Sequence, residues 1–303
     1  GYFRNIHLVD YRNFDNFTLE FSKNCNVLYG KNGSGKTNIL EAISLFSKGR
    51  GFRKDKLSNI IKKNHNKFIL KSNFQDNNII YNLTSETYET EKRLLKTMSI
   101  NNDKSKEALD HIYKLTSFLF FLPETERLFV SSPANRRNFI DRLIYTHDNS
   151  YSKLVSIYNK NLLERSELLS NDYADTEWLD RLEKNISNFG LKIYQSREKQ
   201  IVSLLDYLNN FINDFNLSLN ISSKLNDNFY FNNLDEEIFA QKLKNNRKID
   251  SMIGGSKIGP HKSDYIFYAN SDYLVSQLST GQQKTLILLI FLSQCRYLIE
   301  LFK

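Results

Sequence analysis

The chain has 303 residues, 40% of them hydrophobic, so it can bury a large core in one or two domains. Its net charge of +8 favours acidic partners such as nucleic acid, although a general solubility bias accounts for that charge equally well. Cys25 and Cys295 lie in apolar stretches without motif spacing, which argues against disulfides, zinc or secretion and predicts buried thiols.

The first third of the chain predicts a strand-rich region with one helix. Residues 2–29 carry short alternating runs that predict strands, and the last of them, CNVLYG, is expected to be buried. GKNGSGKT follows as a loop, and NILEAISLFSKG has helical spacing, with Ile39, Leu40, Ile43 and Phe46 on one side. Residues 67–101 return to strand patterns. An α/β core with an antiparallel flank is therefore expected.

The middle of the chain is predicted to be helical. Residues 105–121 favour a helix, and another begins near Asn135. Residues 151–213 predict two helices joined by the short polar segment NDYADT, as in an antiparallel hairpin or lid, and Gly190 could break the second.

The last third predicts strands followed by one helix. Strand-like runs return at LSLNISS, NFYFNN and DYIFYAN. The last helix, after LSTG, is apolar nearly all round, which is typical of a buried core helix. No signal peptide and no membrane-length apolar run is evident, so we expect a cytoplasmic protein without a membrane partner.

The glycine-rich loop matches the phosphate-binding pattern GxxxxGK[ST] in full, after a predicted strand and before a predicted helix. Its glycines would let backbone N–H groups turn toward phosphates, Lys36 would reach the β- and γ-phosphates, and Thr37 would bind Mg²⁺. The alternative is a chance Gly/Ser-rich turn. The expected nucleotide-binding residues are Gly30, Lys31, Asn32, Gly33, Ser34, Gly35, Lys36, Thr37 and Asn38. An Asn-Lys-x-Asp guanine-reading motif is not found, which argues against a GTPase.

A second segment, LSTGQQK at residues 278–284, resembles the Leu-Ser-x-Gly-Gln signature of ABC-type ATPases. In that family the signature opens a helix and contacts the γ-phosphate bound by the other subunit. The resemblance implies that Ser279, Thr280, Gly281 and Gln282 act in trans across an ATP-dependent homodimer. The alternative is a serine that only caps a buried helix.

Further segments narrow the resemblance. The run LVDYRNFDNFTLEF and the phosphate loop resemble the start of SMC-like DNA-repair ATPases. GRGFR, FLPETERLFVSSPANRRNFIDR and IGPHKSD, in that order, are similar to the RecF family of bacterial recombination mediators. That resemblance implies an ABC-type head with an inserted helical lid, divided as 1–125, 126–215 and 216–303. It also implies ATP and Mg²⁺ as ligands, binding to gapped or single-strand/double-strand DNA junctions, help in loading recombinase, and a RecR-type mediator as partner.

Several basic residues are candidates for contacts with DNA or phosphate: Arg50, Arg53, Arg136, Arg137, Lys257 and His261. Each also has a structural interpretation. The arginines could lie on a flexible basic loop or a solvated helix face, and the histidine could be a satisfied turn residue.

A Walker B segment, with its two acids, is not recognisable before the sequence ends at RYLIELFK. FLFFLPE at 118–124 carries a proline and lies in the wrong place for that role. We therefore expect this polypeptide to bind nucleotide weakly and to hydrolyse it poorly or not at all. Two alternatives stay open: a degenerate DNA-binding module without ATPase activity, and another SMC-like ABC-type ATPase.

Overall fold

The computed structural model describes residues 1–47, 49–91, 93–170, 175–216, 218–230 and 234–302. The chain forms two compact units, Gly1–Phe120 (unit 1) and Phe121–Lys303 (unit 2). Among the helices in these ranges, none is both long enough and apolar enough to cross a membrane.

Unit 1 is built on an antiparallel sheet. Its strands are β1 (Tyr2–Phe3), β2 (Asn5–Tyr11), β3 (Phe14–Glu20), β4 (Ile69–Asp76), β5 (Ile79–Thr90) and β6 (Arg93–Ile100). The order across the sheet is β3-β2-β4-β5-β6, and β1 pairs with β4. The strand patterns read from residues 2–20 and 67–101 are thereby confirmed.

The helices of unit 1 are α1 (Lys36–Ser44), α2 (Leu57–Ile60) and α3 (Lys106–Leu115). Ile39, Ala42 and Phe46 are buried in the same core as the sheet, at the spacing of one helix face. Leu40 is 49% exposed, so the prediction that it shares one side of the helix with Ile39 and Phe46 is wrong. α3 ends at Leu115, six residues before the expected end.

The run before the glycine loop is not a strand, which contradicts the prediction of a buried strand there. Residues 25–30 have no regular structure, and Val27 and Tyr29 are 76% and 92% exposed. Strand formation requires a neighbouring strand to take up the backbone hydrogen bonds. No described strand pairs with this run.

Unit 2 is mostly helical. Its helices are a 3₁₀ helix (Pro123–Val130), α4 (Pro133–Tyr145), α5 (Tyr151–Leu169), α6 (Thr176–Asp214), α7 (Glu236–Asn245), α8 (Arg247–Ile253), a second 3₁₀ helix (Val275–Gln277) and α9 (Thr280–Leu301). Its small sheet has the order β7 (Ile221–Asn226), β8 (Asp264–Ala269) and β9 (Tyr273–Leu274). The predicted strand NFYFNN is not formed at residues 228–230, and its last three residues lie outside the described ranges. α7 and α8 were not predicted.

The helical hairpin is confirmed. Arg165 Nε lies 2.9 Å from Glu183 Oε1, and Asn185 Nδ2 lies 3.5 Å from Asn161 Oδ1, so α5 and α6 run antiparallel. Residues 171–174 of their connection lie outside the described part of the chain. Gly190 does not break α6, because the helix continues through it to Asp214.

Two burial predictions are wrong. α9 buries one face against α6 and the first 3₁₀ helix, but Leu288, Leu292 and Ile299 on its other face are 50–59% exposed. Cys25 and Cys295 are both exposed rather than buried. Cys25 follows the end of β3 in irregular chain, and Cys295 shares the exposed face of α9. An apolar neighbourhood in sequence does not determine which face of an element is covered.

Candidate nucleotide-binding site

The glycine-rich loop has the backbone that its sequence requires. Gly30, Gly33 and Gly35 have φ angles of 149°, 83° and 92°, a region that side chains other than glycine rarely adopt. A Cβ on Gly35 would lie 2.6 Å from Phe14 Cζ, so the β2–β3 hairpin also leaves room only for glycine there. α1 begins directly after this glycine, with no acidic residue in its first turn. Its first N–H groups have no acceptors within the helix, as an anion site requires.

Lys36 and its neighbours place polar groups at this loop. Lys36 Nζ donates hydrogen bonds to the carbonyl oxygens of Gly30 and Lys31, at 2.7 and 2.8 Å. The ammonium group therefore lies across the loop. Thr37 is exposed at the second position of α1, where its hydroxyl could bind Mg²⁺.

A buried carboxylate, which was not predicted from the sequence, ties the loop helix to its surroundings. Glu41 of α1 is completely buried. It accepts hydrogen bonds from Arg12 Nε and Nη2 at 2.9 and 2.6 Å, from Tyr11 Oη at 3.1 Å and from Arg53 Nη1 at 3.1 Å. The signal was an acidic residue between Ile39 and Ala42, inside the buried stripe of a predicted helix.

Asn38 extends this network toward the loop. Its amide nitrogen donates to Asn13 Oδ1 at 2.8 Å, and its oxygen accepts from Arg53 Nη1 at 2.9 Å. Arg53 is thus held beside the start of α1, while Arg50 is exposed on the same loop. The structure brings the predicted residues Asn38 and Arg53 together.

In unit 2, the signature-like segment opens α9. Ser279 is the N-cap: its hydroxyl accepts from the Gln282 N–H at 3.3 Å, and Gln282 Oε1 accepts from the Ser279 N–H at 3.0 Å. Thr280 and Gly281 form the exposed first turn. A Cβ on Gly281 would meet no atom within 4 Å, so nothing in the described chain requires glycine there.

The four remaining basic candidates also lie in unit 2. Arg136 is held by Asp264 through two hydrogen bonds of 2.7 Å, whereas Arg137 donates only to the Ser263 carbonyl among the described residues. The His261 ring lies 2.8 Å from Tyr158 Oη and 2.9 Å from the Ser256 carbonyl, and burial lowers the pKa of His261 to about 4. This ring is therefore neutral at pH 7. Lys257 is exposed.

Comparison with known proteins gives matches along nearly the whole chain. The profile of the RecF/RecN/SMC N terminal domain matches residues 2–298. A Rickettsia felis protein described as DNA replication and repair protein RecF is 32% identical over 308 residues, covering all of this chain and 83% of that protein. The Rickettsia canadensis protein of the same description is 33% identical, with 84% of its length covered.

Solved structures give the same result. A structure of the recombination mediator protein RecF with ATPγS superposes with a TM-score of 0.85 at 26% identity, over 99% of this chain and 82% of that one. The RecF–ATP structure gives 0.83 at 27% identity. An Smc head bound to a domain of ScpA gives 0.52 at 14% identity, a likeness of fold alone.

Proposed function

This chain belongs to the RecF/RecN/SMC N-terminal domain family, with RecF proteins of DNA replication and repair as its relatives, and on that premise we propose that it is an ATP-binding recombination mediator. ATP would bind at the glycine-rich loop. The observation that carries the proposal is the loop itself: three glycines with positive φ lead into α1, and Lys36 lies across them.

The residues of the loop fit a nucleoside triphosphate. Its backbone conformation leaves the N–H groups at the start of α1 without helical partners, and Lys36 could exchange two carbonyl oxygens for phosphate oxygens. Thr37 would hold Mg²⁺ through its hydroxyl. Bound Mg²⁺ neutralises phosphate charge, while the chain's own groups position the nucleotide.

The finer parts of the proposal come from the family. We propose that two copies close over two nucleotides, with Ser279 and Gly281 of each copy contacting the phosphate held by the other. The free space around Gly281 supports this, because a glycine that the chain itself does not require allows close approach by a group from outside. The dimer would engage DNA at single-strand/double-strand junctions and assist recombinase loading with a RecR-type partner.

A binding experiment tests the nucleotide site. Wild type should bind a fluorescent ATP analogue in the presence of Mg²⁺, and Lys36→Ala should weaken binding by about tenfold or more, since charge-assisted hydrogen bonds contribute roughly 1.5–3 kcal/mol. Lys71→Ala is the control, because Lys71 is an exposed lysine on β4 of the same unit. Equal affinities in the two variants would refute the assignment of Lys36.

Light scattering with Mg-ATP and gapped duplex DNA tests the wider proposal. An ATP-dependent dimer that engages DNA is expected. A monomer that ignores nucleotide would contradict it. Salt-sensitive DNA binding without nucleotide dependence would instead indicate a DNA-binding module that lacks ATP control.

A further inference from the structure

We propose that a cavity in unit 2, beside Arg137, binds a phosphate group of DNA; this inference deepens the proposed DNA-binding function and depends on it. The cavity has a volume of about 170 Å³ and lies between α4, α5, α6 and the loop that precedes β8. Its polar lining includes Arg137, Asn138, Asp141, Asn159, Arg197 and His261. This volume is several times the ~30 Å³ of a water molecule, so one phosphate group and some water fit.

Arg137 is the charged lining residue with spare hydrogen-bonding capacity. Among the described residues, its one hydrogen bond runs from Nη1 to the Ser263 carbonyl. Nε and Nη2 therefore have no acceptor in the described chain. These two nitrogens form the side of the guanidinium that grips a phosphate with two parallel hydrogen bonds.

The other charges in the cavity are already neutralised by one another. Asp141 accepts from Arg197 at 2.8 and 2.9 Å and from Tyr151 Oη at 2.7 Å, and among the described residues it makes no hydrogen bond to Arg137. Arg197 uses its last nitrogen on the Pro260 carbonyl at 2.6 Å. The His261 ring is neutral, as described above. The cavity thus holds one net positive charge, on Arg137.

The environment of Arg137 favours an added anion. Burial lowers the pKa of Arg137, the nearby Arg197 lowers it further, and Asp264 and Asp141 offset this only in part, so its positive charge is held at a cost. A bound phosphate would offset that cost. The acidic residue that could have done so, Asp264, is held by Arg136 in a two-bond ion pair.

A phosphate of nucleic acid fits this surface better than a carboxylate of a protein. The exposed residue Lys262 directly follows the lining residue His261 and lies close enough for its charge to lower the pKa of that ring, so it adds positive charge beside the cavity. The amides of Asn138 and Asn159 add neutral donors at its exposed edge. A polyanion can use a basic rim together with one recessed arginine, whereas a single carboxylate uses only the arginine.

Binding of gapped duplex DNA tests the inference in the full chain with Mg-ATP. Arg137→Gln should weaken binding about tenfold and lower the slope of log affinity against log salt by about one. Arg181→Gln is the matched control, because Arg181 is an exposed arginine of α6 outside the cavity. A comparison of gapped duplexes that carry a 5′-phosphate with gapped duplexes that carry a 5′-hydroxyl shows whether the site binds a terminal phosphate or a backbone phosphate.

Chemical modification with phenylglyoxal tests the site in the wild-type protein, so this test does not depend on a variant that folds. DNA should protect Arg137, but not Arg181, from the reagent, as measured by mass spectrometry. If DNA binds and Arg137 reacts as fast as before, the inference is wrong while the proposed function stands. If DNA does not bind but millimolar inorganic phosphate protects Arg137, the cavity is still a phosphate site. If DNA does not bind and phosphate does not protect Arg137, both the phosphate site and the proposed DNA-binding function are refuted. Protection by polyglutamate but not by DNA would identify a protein partner and refute the inference.

Discussion

Replacing Gly281 with alanine should separate stability from assembly. The residue lies in the first turn of α9 and has a helical backbone, and an added Cβ would meet no atom within 4 Å. Alanine is favoured over glycine in a helix by up to about 1 kcal/mol, which corresponds to a rise in melting temperature of about 3 °C for a unit of this size. Gly281→Ala should therefore be as stable as wild type, or more stable.

The same methyl group should weaken ATP-dependent dimerisation. If the phosphate bound by one copy approaches the first turn of α9 in the other, the added carbon occupies the space that the phosphate needs. We expect dimerisation with Mg-ATP to weaken at least tenfold, which is roughly 1.4 kcal/mol, as measured by light scattering over a range of protein concentrations. Nucleotide binding by the monomer, at the loop in unit 1, should not change.

Gly190→Ala is the matched control, because it makes the same change in another helix of unit 2. A Cβ at Gly190 would lie 2.7 Å from Phe239 Cε1 and 3.2 Å from Tyr158 Cε2. Overpacking of this kind costs about 1–3 kcal/mol, so this variant should melt lower while still dimerising when folded. Our reasoning about Gly281 would be refuted if Gly281→Ala dimerised with ATP as wild type does.

Two further predictions concern stability. Glu41→Gln should destabilise unit 1 by about 3 kcal/mol, because Arg12 loses a fully buried carboxylate, whereas Glu86→Gln in an exposed pair should cost below about 1 kcal/mol. Hydrogen exchange of peptides from β2 and β4 would measure the loss of stability in both variants. Equal protection of these peptides in the two variants would contradict the expectation. The stability of unit 2 should fall as pH drops from 6.5 to 4, because the folded pKa of His261 is about 4 against an ordinary 6.5, so the unfolded chain takes up the proton first. The free energy of unfolding should fall by about 3 kcal/mol, at about 1.4 kcal/mol per pH unit. The His261→Gln variant should lack this part of the pH dependence, as measured by urea unfolding followed by circular dichroism.

Local features were predictable from the sequence, and pairings between distant residues were not. The glycine loop, the strands of residues 67–101 and the α5–α6 hairpin follow from residue types and periodicity over short spans. The network around Glu41 was missed, since its partner Arg12 is 29 positions away. The apolar run at 25–29 has the composition of a strand, yet a strand also needs a neighbour, which composition cannot supply. Gly190 illustrates the same limit, because only the packing of Phe239 against α6 explains it.

The two pairs of arginines show how the fold assigns roles that the sequence leaves equal. Arg50 and Arg53 share one loop, but Arg53 is bonded to a buried carboxylate of α1, while Arg50 is exposed and makes no ion pair among the described residues. Arg136 and Arg137 are adjacent on α4, about 100° apart around the helix, and only Arg136 is paired with an acid. In each pair an internal carboxylate holds one guanidinium, while the other makes no ion pair among the described residues. An arginine that the fold leaves without an acidic partner is therefore a better candidate for phosphate contact than a neighbouring arginine that a carboxylate already holds.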